Sequence, residues 1–341
     1  MTRWILYKPA PPVLKVLLFA AAVFTGSGYT HAADFFTSSI YQHRWNSIKQ
    51  SVDKRFDSYY TFNPAAGFEE FFGQVPDESV TLDEIVTAES IPAKFRALLG
   101  QSSVWGNYAG RTGNLVSSSD LGGTVKTDSS GVQCGFDVAA FNGFVIGAMF
   151  GYEEHRSRLL GDWTAADDYY FGIYAAKQFF NGFDIRGAVG YGSQEYRNNA
   201  AITPGGRTLE ANLEIGRRFY KGPNCSMRPF AAFDYLNNKM DAEDGLSRLK
   251  LEQGFIRFGT DSQFVNGPLS LAGFIAFSQN VLGNPLADWY GDSVFTFGVG
   301  GSYVLNARCN WTVFAGYETN IFVAGNGGPV HSYHVGTQLK F

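Results

Sequence analysis

Apolar and polar side chains alternate along most of the chain after residue 101. Phe183, Ile185 and Val189 share one parity, whereas Asp184 and Arg186 take the other. A period of two is that of a β-strand with one apolar face, and a helical period is almost absent from this region. The same alternation recurs in runs that begin at residues 144, 209, 269, 295, 311 and 333. We therefore predict an all-β region whose strands present one apolar and one polar face.

Turn signals separate these runs and indicate the number of strands. Asn142-Gly143, Asn181-Gly182 and Asn266-Gly267 are each flanked by alternating runs, which is a strong signal for a tight hairpin. Further short connections fall at 221–226 and 307–310. Longer polar stretches lie between them, at residues 111–130, 157–166, 198–205, 238–246, 283–292 and 325–329. Five short and six long connections predict twelve strands.

Short and long connections alternate, so every short turn would lie on one rim and every long loop on the other. This arrangement is typical of a transmembrane β-barrel, whose strand number is even. A soluble β-sandwich also alternates apolar and polar residues, but its loops need not segregate in this way. The predicted strands have about 10–15 residues, enough for the ~9–11 that cross a bilayer. We predict a twelve-stranded antiparallel transmembrane β-barrel, preceded by a short helical N-terminal segment.

In such a barrel the apolar face contacts lipid and the polar face lines the lumen. Strand parity predicts twelve lumen-lining side chains, which would be solvated or paired across the lumen: Gln133, Asp137, Glu153, Asp184, Arg186, Glu214, Arg218, Arg228, Asp234, Arg257, Glu318 and Lys340. Rings at strand ends fit aromatic girdles at the membrane surface, namely Tyr152, Tyr191, Phe219, Tyr235, Tyr303 and Tyr317. Lys177 shares the apolar parity, which indicates either a position near a rim or a β-bulge.

The N-terminus has the three parts of a secretory signal peptide. Positive residues precede an apolar run at 16–24, and small residues up to Ala32 suit cleavage just before Ala33. The apolar run is too short to span a membrane. Residues 1–32 are therefore predicted to direct export from the cytoplasm and to be removed.

Residues 33–101 are predicted to form a short helical segment. Apolar residues recur at three- and four-residue spacing from Tyr41 to Tyr59, before the break at Asn63-Pro64. Ser90-Ile91-Pro92 opens a second short helix, which Gly100 ends. From its periodicity, this helix at 90–100 is an amphipathic helix that would pack against the barrel rim.

Composition excludes several functional classes. Charged residues make up 17% of the chain, below the ~25% of average domains, and aromatic residues make up 16%, which excludes intrinsic disorder. The net charge of −4 argues against binding nucleic acid through a basic surface.

The three cysteines do not predict a disulfide. Cys134 falls on the lipid-facing parity. Cys225 and Cys309 fall in turns four strands apart, beyond the reach of a disulfide.

Candidate chemistry is sparse. Gly291-Asp292-Ser293 matches a three-residue start of some esterases, but no Asp-x-x-His follows it. The run from Glu153 to His155 could serve acid–base chemistry, and exposed rim charges explain it more simply. The histidines show no metal-ligand spacing, and no cofactor motif is found. We predict that the chain is not an enzyme; a barrel hydrolase dependent on Ser293 or His155 is the alternative.

The C-terminus and several glycine- and aromatic-rich segments carry a family resemblance. Tyr333, Val335, Thr337, Leu339 and Phe341 alternate to the last residue, which resembles the signal read by barrel-assembly machinery. Together with the segments 131–137, 146–152, 170–175 and 183–192, they make residues 100–341 resemble the autotransporter β-domain.

That resemblance implies a type V secretion translocator in the outer membrane of a diderm bacterium. It also implies outer-membrane lipid and the barrel-assembly machinery as partners, the latter through the C-terminal strand. The family would carry an N-terminal passenger outward with a helical linker through the pore, and the resemblance implies that the helix at 90–100 is this linker, with packing against the rim as the alternative. Only residues 33–101 are available for a passenger here, and no long repeat is present. We therefore expect translocation or anchoring of a short N-terminal segment at the cell surface. A passive pore or structural barrel without export is the alternative.

Overall fold

The computed structural model describes most of the chain from Gln101 to Lys340. The described residues are 101–118, 123–140, 144–159, 162–179, 182–198, 205–222, 224–240, 249–282, 293–306, 311–323 and 328–340. The predicted signal peptide and the predicted helices at 33–100 lie outside these residues. Across the described ranges, no helix is long and apolar enough to cross a membrane.

Thirteen β-strands account for nearly all of the described residues. Their bounds are β1 Gln101–Ser118, β2 Gly123–Ala140, β3 Phe144–Leu159, β4 Asp162–Gln178, β5 Phe183–Asn198, β6 Gly205–Arg217, β7 Phe219–Lys221, β8 Cys225–Met240, β9 Leu249–Asn266, β10 Leu269–Asn280, β11 Ser293–Asn306, β12 Trp311–Phe322 and β13 Val330–Lys340.

The strands close into one antiparallel barrel. Each strand pairs with its neighbours in sequence, except that β6 and β7 do not pair with each other, and β1 pairs with β13 from Ser103↔Lys340 to Gly113↔Val330. A break at Arg218 divides one stave into β6 and β7, both of which pair with β8. The prediction of a twelve-stranded closed barrel is therefore confirmed, with one extra short strand produced by this break. Closure satisfies the backbone hydrogen bonds of every stave, as the interior of a bilayer requires.

The rim that holds the connections at 141–143, 179–182, 222–224, 267–268 and 307–310 is called the turn rim here, and the opposite one the loop rim. Gly182 and Gly267 adopt positive φ angles of 79° and 57° in two of these turns. Glycine takes this conformation without steric cost. The predicted Asn-Gly hairpins at these two positions are thus confirmed.

Two predicted long loops are wrong. β1 continues to Ser118 and β2 begins at Gly123, so only four residues connect them. Leu159 pairs with Asp162, so only two residues connect β3 and β4 where residues 157–166 were expected to form a loop. Towards the loop rim both faces of the sheet are polar, so apolar and polar residues no longer alternate along the strands. Backbone pairing does not depend on that alternation and continues.

The barrel is apolar outside and polar inside, as predicted from the alternation. Outward side chains such as Phe150, Ile173 and Val299 are 59%, 52% and 65% exposed. Lys177 lies on this outward face next to the turn rim, where its ammonium group is 6.0 Å from the centre of the Phe179 ring. The pairing of β4 with both neighbours is continuous through this residue. Its position near a rim, and not a bulge, explains the polar residue.

Candidate functional site: the barrel lumen

The structure places the twelve lumen candidates on the inner face of the barrel. Lys340 is only half-buried, at the turn rim. The other eleven are at most 6% exposed: Gln133, Asp137, Glu153, Asp184, Arg186, Glu214, Arg218, Arg228, Asp234, Arg257 and Glu318. Strand parity alone does not predict which of these side chains lie close together. In the structure they form separate networks of hydrogen bonds and ion pairs.

The largest network is centred on Arg228 of β8. Its guanidinium group donates to Asp184 on β5 (Nε to Oδ2, 2.8 Å) and to Glu214 on β6 (Nη1 to Oε1, 2.6 Å). It also donates to Asp261 on β9 (Nη1 to Oδ2, 3.0 Å). One fully buried cation therefore connects four neighbouring staves.

Two further arginines complete this network. Arg186 donates to Asp184 (Nε to Oδ1, 3.0 Å), and Arg257 donates to Glu214 (Nη2 to Oε2, 3.1 Å). Arg257 also lies 3.4 Å from Asp234 (Nε to Oδ2). We call Asp184, Arg186, Glu214, Arg228, Asp234, Arg257 and Asp261 the Arg228 cluster. Buried carboxylates and guanidinium groups are tolerated here because nearly every charge faces an opposite one.

A second network lies on β1–β4 near the turn rim and is mostly neutral. Asp137 accepts from Ser103 (Oγ to Oδ1, 2.6 Å) and from Tyr174 (Oη to Oδ2, 2.8 Å). The Tyr174 hydroxyl in turn accepts from Trp105 (Nε1 to Oη, 2.9 Å). This chain of hydrogen bonds fixes two large rings inside the barrel and fills this side of the lumen.

Glycines on β3 make room for rings from β4. A Cβ atom at Gly147 would lie 2.3 Å from the ring of Tyr174, and one at Gly151 would lie 2.1 Å from the ring of Tyr170. Such distances are far below van der Waals contact. The rings therefore lie flat against the backbone of β3, and only glycine fits beneath them.

Glu153 and His155 lie inside the barrel, as strand parity predicted for Glu153; the interpretation of the run from Glu153 to His155 as exposed rim charges is therefore wrong for these two residues. They are 2% and 1% exposed, and the His155 Nδ1 atom is 3.9 Å from Glu153 Oε1. Ser129, directly opposite His155, donates to Glu153 Oε1 at 2.7 Å. Because the serine donates to the acid and not to the imidazole, these groups do not form a Ser–His–acid relay.

The other chemical candidates are not assembled into a site. Ser293 Oγ donates to Gln279 Oε1 at 2.5 Å, while Gly291 and Asp292 lie outside the described residues. His331 instead contacts the hydroxyl of Tyr317 at 2.6 Å. Within the described ranges, no group of three or more His, Cys, Asp or Glu side chains could hold a metal ion. Cys134 and Cys225 are free thiols, and Cys309 is not among the described residues.

Some inward residues were not identified from the sequence. Trp105, Tyr170 and Tyr174 have inward parity, but only charged and amide side chains were selected as lumen candidates. The sequence held a signal for these three rings, because each lies opposite a glycine on the neighbouring strand. Arg111 fell in a predicted loop, whereas it is buried on β1 with Ser129 and Ser332 as its neighbours across the sheet.

Comparison with known proteins identifies the type of barrel. The family model for the autotransporter beta-domain matches residues 104–254. No curated protein matches the sequence.

Solved structures show the same fold at low sequence identity. The beta domain of the Bordetella autotransporter Brka has a TM-score of 0.54 at 18% identity, covering 70% of this chain and 98% of that one. The translocator domain of autotransporter NalP from Neisseria meningitidis has a TM-score of 0.54 at 12% identity, covering 74% and 96%. An outer membrane channel from Pseudomonas putida F1 has a TM-score of 0.51 at 12% identity, covering 71% and 96%.

The closed twelve-stave architecture, the apolar exterior, the polar lumen and the matched family region agree with one another. The chain has the fold of an outer-membrane β-barrel of autotransporter type.

Proposed function

We propose that this barrel translocates or anchors its own short N-terminal segment at the cell surface, without catalysing a reaction. The mechanism is physical: a closed sheet shields its backbone from lipid, and a polar lumen admits a polypeptide segment. The single observation that carries the proposal is the position at which the chain enters the barrel.

The chain enters at the turn rim. Gln101, the first residue of β1, pairs with Ala139 at the end of β2, beside the connection at 141–143. In bacterial outer-membrane barrels the short turns face the periplasm. With that orientation, residues 33–100 begin on the periplasmic side and reach the cell surface through the lumen.

The same orientation is supported by the distribution of polar strand extensions. β1 and β2 extend together to Ser118 and Gly123 at the loop rim. On the neighbouring strand β3, which pairs with this part of β2, the ion pair Arg156–Glu154 (2.8 Å) lies at half-exposed to exposed positions. A polar, hydrated extension suits the cell exterior, where the outer-membrane barrels carry their longer connections.

Export and assembly complete the proposal. The predicted signal peptide at 1–32 would deliver the chain across the inner membrane of a diderm bacterium, with cleavage near Ala32. The alternating C-terminal strand that ends at Phe341 would bind the barrel-assembly machinery. Outer-membrane lipid would then surround the exposed apolar belt, of which Phe150 and Ile173 are members.

The test is the location of the N-terminal segment in intact cells. In a chain with its three native cysteines changed to serine, Ser51→Cys supplies one thiol for a membrane-impermeant maleimide. We expect labelling of intact cells. The matched control keeps only the native Cys225, which is exposed at the turn rim, and should react only after the outer membrane is permeabilised.

Two results would contradict the proposal. Labelling of Ser51→Cys only after permeabilisation would leave the segment in the periplasm and favour the passive pore. That second function is suggested by the fold that the chain shares with an outer membrane channel. Labelling of Cys225 in intact cells would reverse the orientation on which the entry argument depends.

A further inference from the structure

The outer face of the barrel carries a basic recess at the loop rim, away from the lumen. The recess has a volume of about 280 Å³ and is lined by side chains of β3, β4 and β5. We call it the rim recess, and its members are Glu154, Arg156, Arg158, Trp163, Ala165 and Arg197. Ala165 lies at its floor, only 2% exposed between its Cα partners Arg156 on β3 and Arg197 on β5. Because alanine is small, it leaves a space that the arginines surround.

Two arginines of the rim recess have an acidic partner and the third does not. Arg156 pairs with Glu154 (Nη2 to Oε1, 2.8 Å), and Arg197 pairs with Asp167. Arg158 is exposed and, among the side chains that the structure describes, has no acidic partner. Arginine binds phosphate groups through paired, charge-assisted hydrogen bonds. Arg158 can therefore bind an anion from outside the chain.

A second cation lies beside Arg158. Lys126 on β2 is its Cα partner and is also exposed, with no acidic partner in the described part of the chain. Like charges directly opposite each other on neighbouring strands repel and destabilise the sheet. An anion bound between the two cations would replace this repulsion with attraction. On the other side of Arg158, its Cα partner Trp163 presents a ring that is 41% exposed, a flat apolar surface against which a sugar ring can pack.

The height of the rim recess above the membrane narrows the identity of the anion. Tyr152 on β3 belongs to the predicted aromatic girdle at the membrane surface. Arg156 and Arg158 follow it on the same strand, which at ~3.4 Å per residue and a strand tilt of about 40° places them roughly 10–16 Å beyond the girdle. The row between is acidic, since Glu154 pairs across the sheet with Asp167. The phosphate of a phospholipid would lie at the girdle, next to this acidic row. The cations require an anion that a larger headgroup carries further from the membrane.

We propose that the rim recess binds a phosphate group on the saccharide headgroup of an outer-leaflet glycolipid. Arg158 and Lys126 contact the phosphate, and Trp163 packs against a sugar ring. The acyl chains of the same molecule lie along the apolar belt below. This inference rests on the proposed function only for the orientation of the barrel, with the loop rim at the cell surface, and it does not require passage of the N-terminal segment.

Native mass spectrometry of the refolded full-length barrel tests the proposal by counting the glycolipid molecules that stay bound once detergent is removed. The probe is a rough lipopolysaccharide, whose short saccharide carries phosphate groups, titrated in the presence of a metal chelator so that divalent cations cannot bridge the phosphate to Glu154. We expect the double variant Lys126→Gln with Arg158→Gln to bind the probe at least about five-fold more weakly than the parent chain. The matched control is Arg217→Gln, which removes an exposed arginine at the turn rim, 5.1 Å from the centre of the Phe183 ring. Its affinity should stay within about two-fold of the parent chain.

Heat-modifiable migration shows that each variant has folded, and Arg158→Gln alone replaces the double variant if that variant does not fold. Equal affinities of the parent chain and the recess variant, or equal retention of the probe after enzymatic removal of its phosphates, would overturn the proposal. Equally strong competition by phosphatidylglycerol or by inorganic phosphate would also overturn it, because the anion would then need no saccharide headgroup. Labelling of Ser51→Cys only after permeabilisation would reject export and leave the glycolipid site intact, so the two proposals fail separately.

Discussion

Removal of the Arg228 guanidinium group should be among the most destabilising single changes in the lumen. Arg228→Gln deletes a fully buried cation that binds Asp184, Glu214 and Asp261. Breaking a buried ion pair by removing one partner typically costs 3–5 kcal/mol, because the other charge stays buried and unpaired. Arg186 and Arg257 remain at 3.0 Å and 3.1 Å from two of the three carboxylates. We therefore expect a loss near the lower limit, about 3 kcal/mol of unfolding free energy.

The measurement is urea unfolding of the refolded barrel in lipid vesicles, followed by tryptophan fluorescence. The matched control is Arg197→Gln, which removes an arginine that is 48% exposed and pairs with Asp167 on the outer face. An exposed pair contributes about 0–1 kcal/mol, so this variant should unfold close to the parent chain. The double variant Arg228→Gln with Asp184→Asn should recover part of the loss, because it removes one unpaired carboxylate.

A loss below about 0.5 kcal/mol for Arg228→Gln would refute this reasoning, since it would place the cluster in the range of exposed pairs. It would mean that water reaches the carboxylates and stabilises their negative charge as well as the guanidinium group does. The absence of any recovery in the double variant would equally show that Asp184 is not stabilised by Arg228.

Three further outcomes are expected. Gly147→Ala should lower the unfolding free energy by about 1–3 kcal/mol, because the added Cβ atom would overlap the Tyr174 ring. Gly187→Ala, whose Cβ atom would have its nearest contact at 3.4 Å, should leave the unfolding free energy unchanged, and urea unfolding compares the two variants. Ile173→Arg on the lipid face should lower the unfolding free energy in lipid vesicles by about 2–4 kcal/mol. Glu195→Arg near the loop rim should lower it by at most about 1 kcal/mol. Equal losses for the two variants would contradict the position of the membrane-facing belt. Deletion of Phe341 should lower the amount of heat-modifiable, folded barrel in the outer membrane without changing the amount of chain synthesised; an unchanged folded fraction would argue against the C-terminal assembly signal.

The alternation of side chains was sufficient to predict the barrel and the inward parity of charged residues such as Asp184 and Arg228, because burial of every second residue is a local property of a strand. Arg111 was missed because the sequence beyond the membrane loses its apolar face while the backbone continues to pair. Tyr174 was missed because its inward position depends on a glycine 27 residues earlier in sequence, Gly147, which pairs with it across the sheet. The Arg228 cluster brings together residues from four staves, and such proximity depends on barrel closure, which no local pattern reports.

The ladder between β1 and β13 joins the first and last strands of the described chain through eleven residue pairs, from Ser103↔Lys340 to Gly113↔Val330. A nascent chain therefore exposes two unpaired strand edges until its final strand has been synthesised. Contacts between residues this far apart in sequence form slowly, because the chain loses conformational entropy in closing the long loop before the new contacts stabilise it. Loss of the last dozen residues would consequently affect more than one strand: the remaining sheet would have two open edges, neither of which is tolerated in hydrocarbon. Such a truncated chain should accumulate as substrate for periplasmic chaperones and proteases.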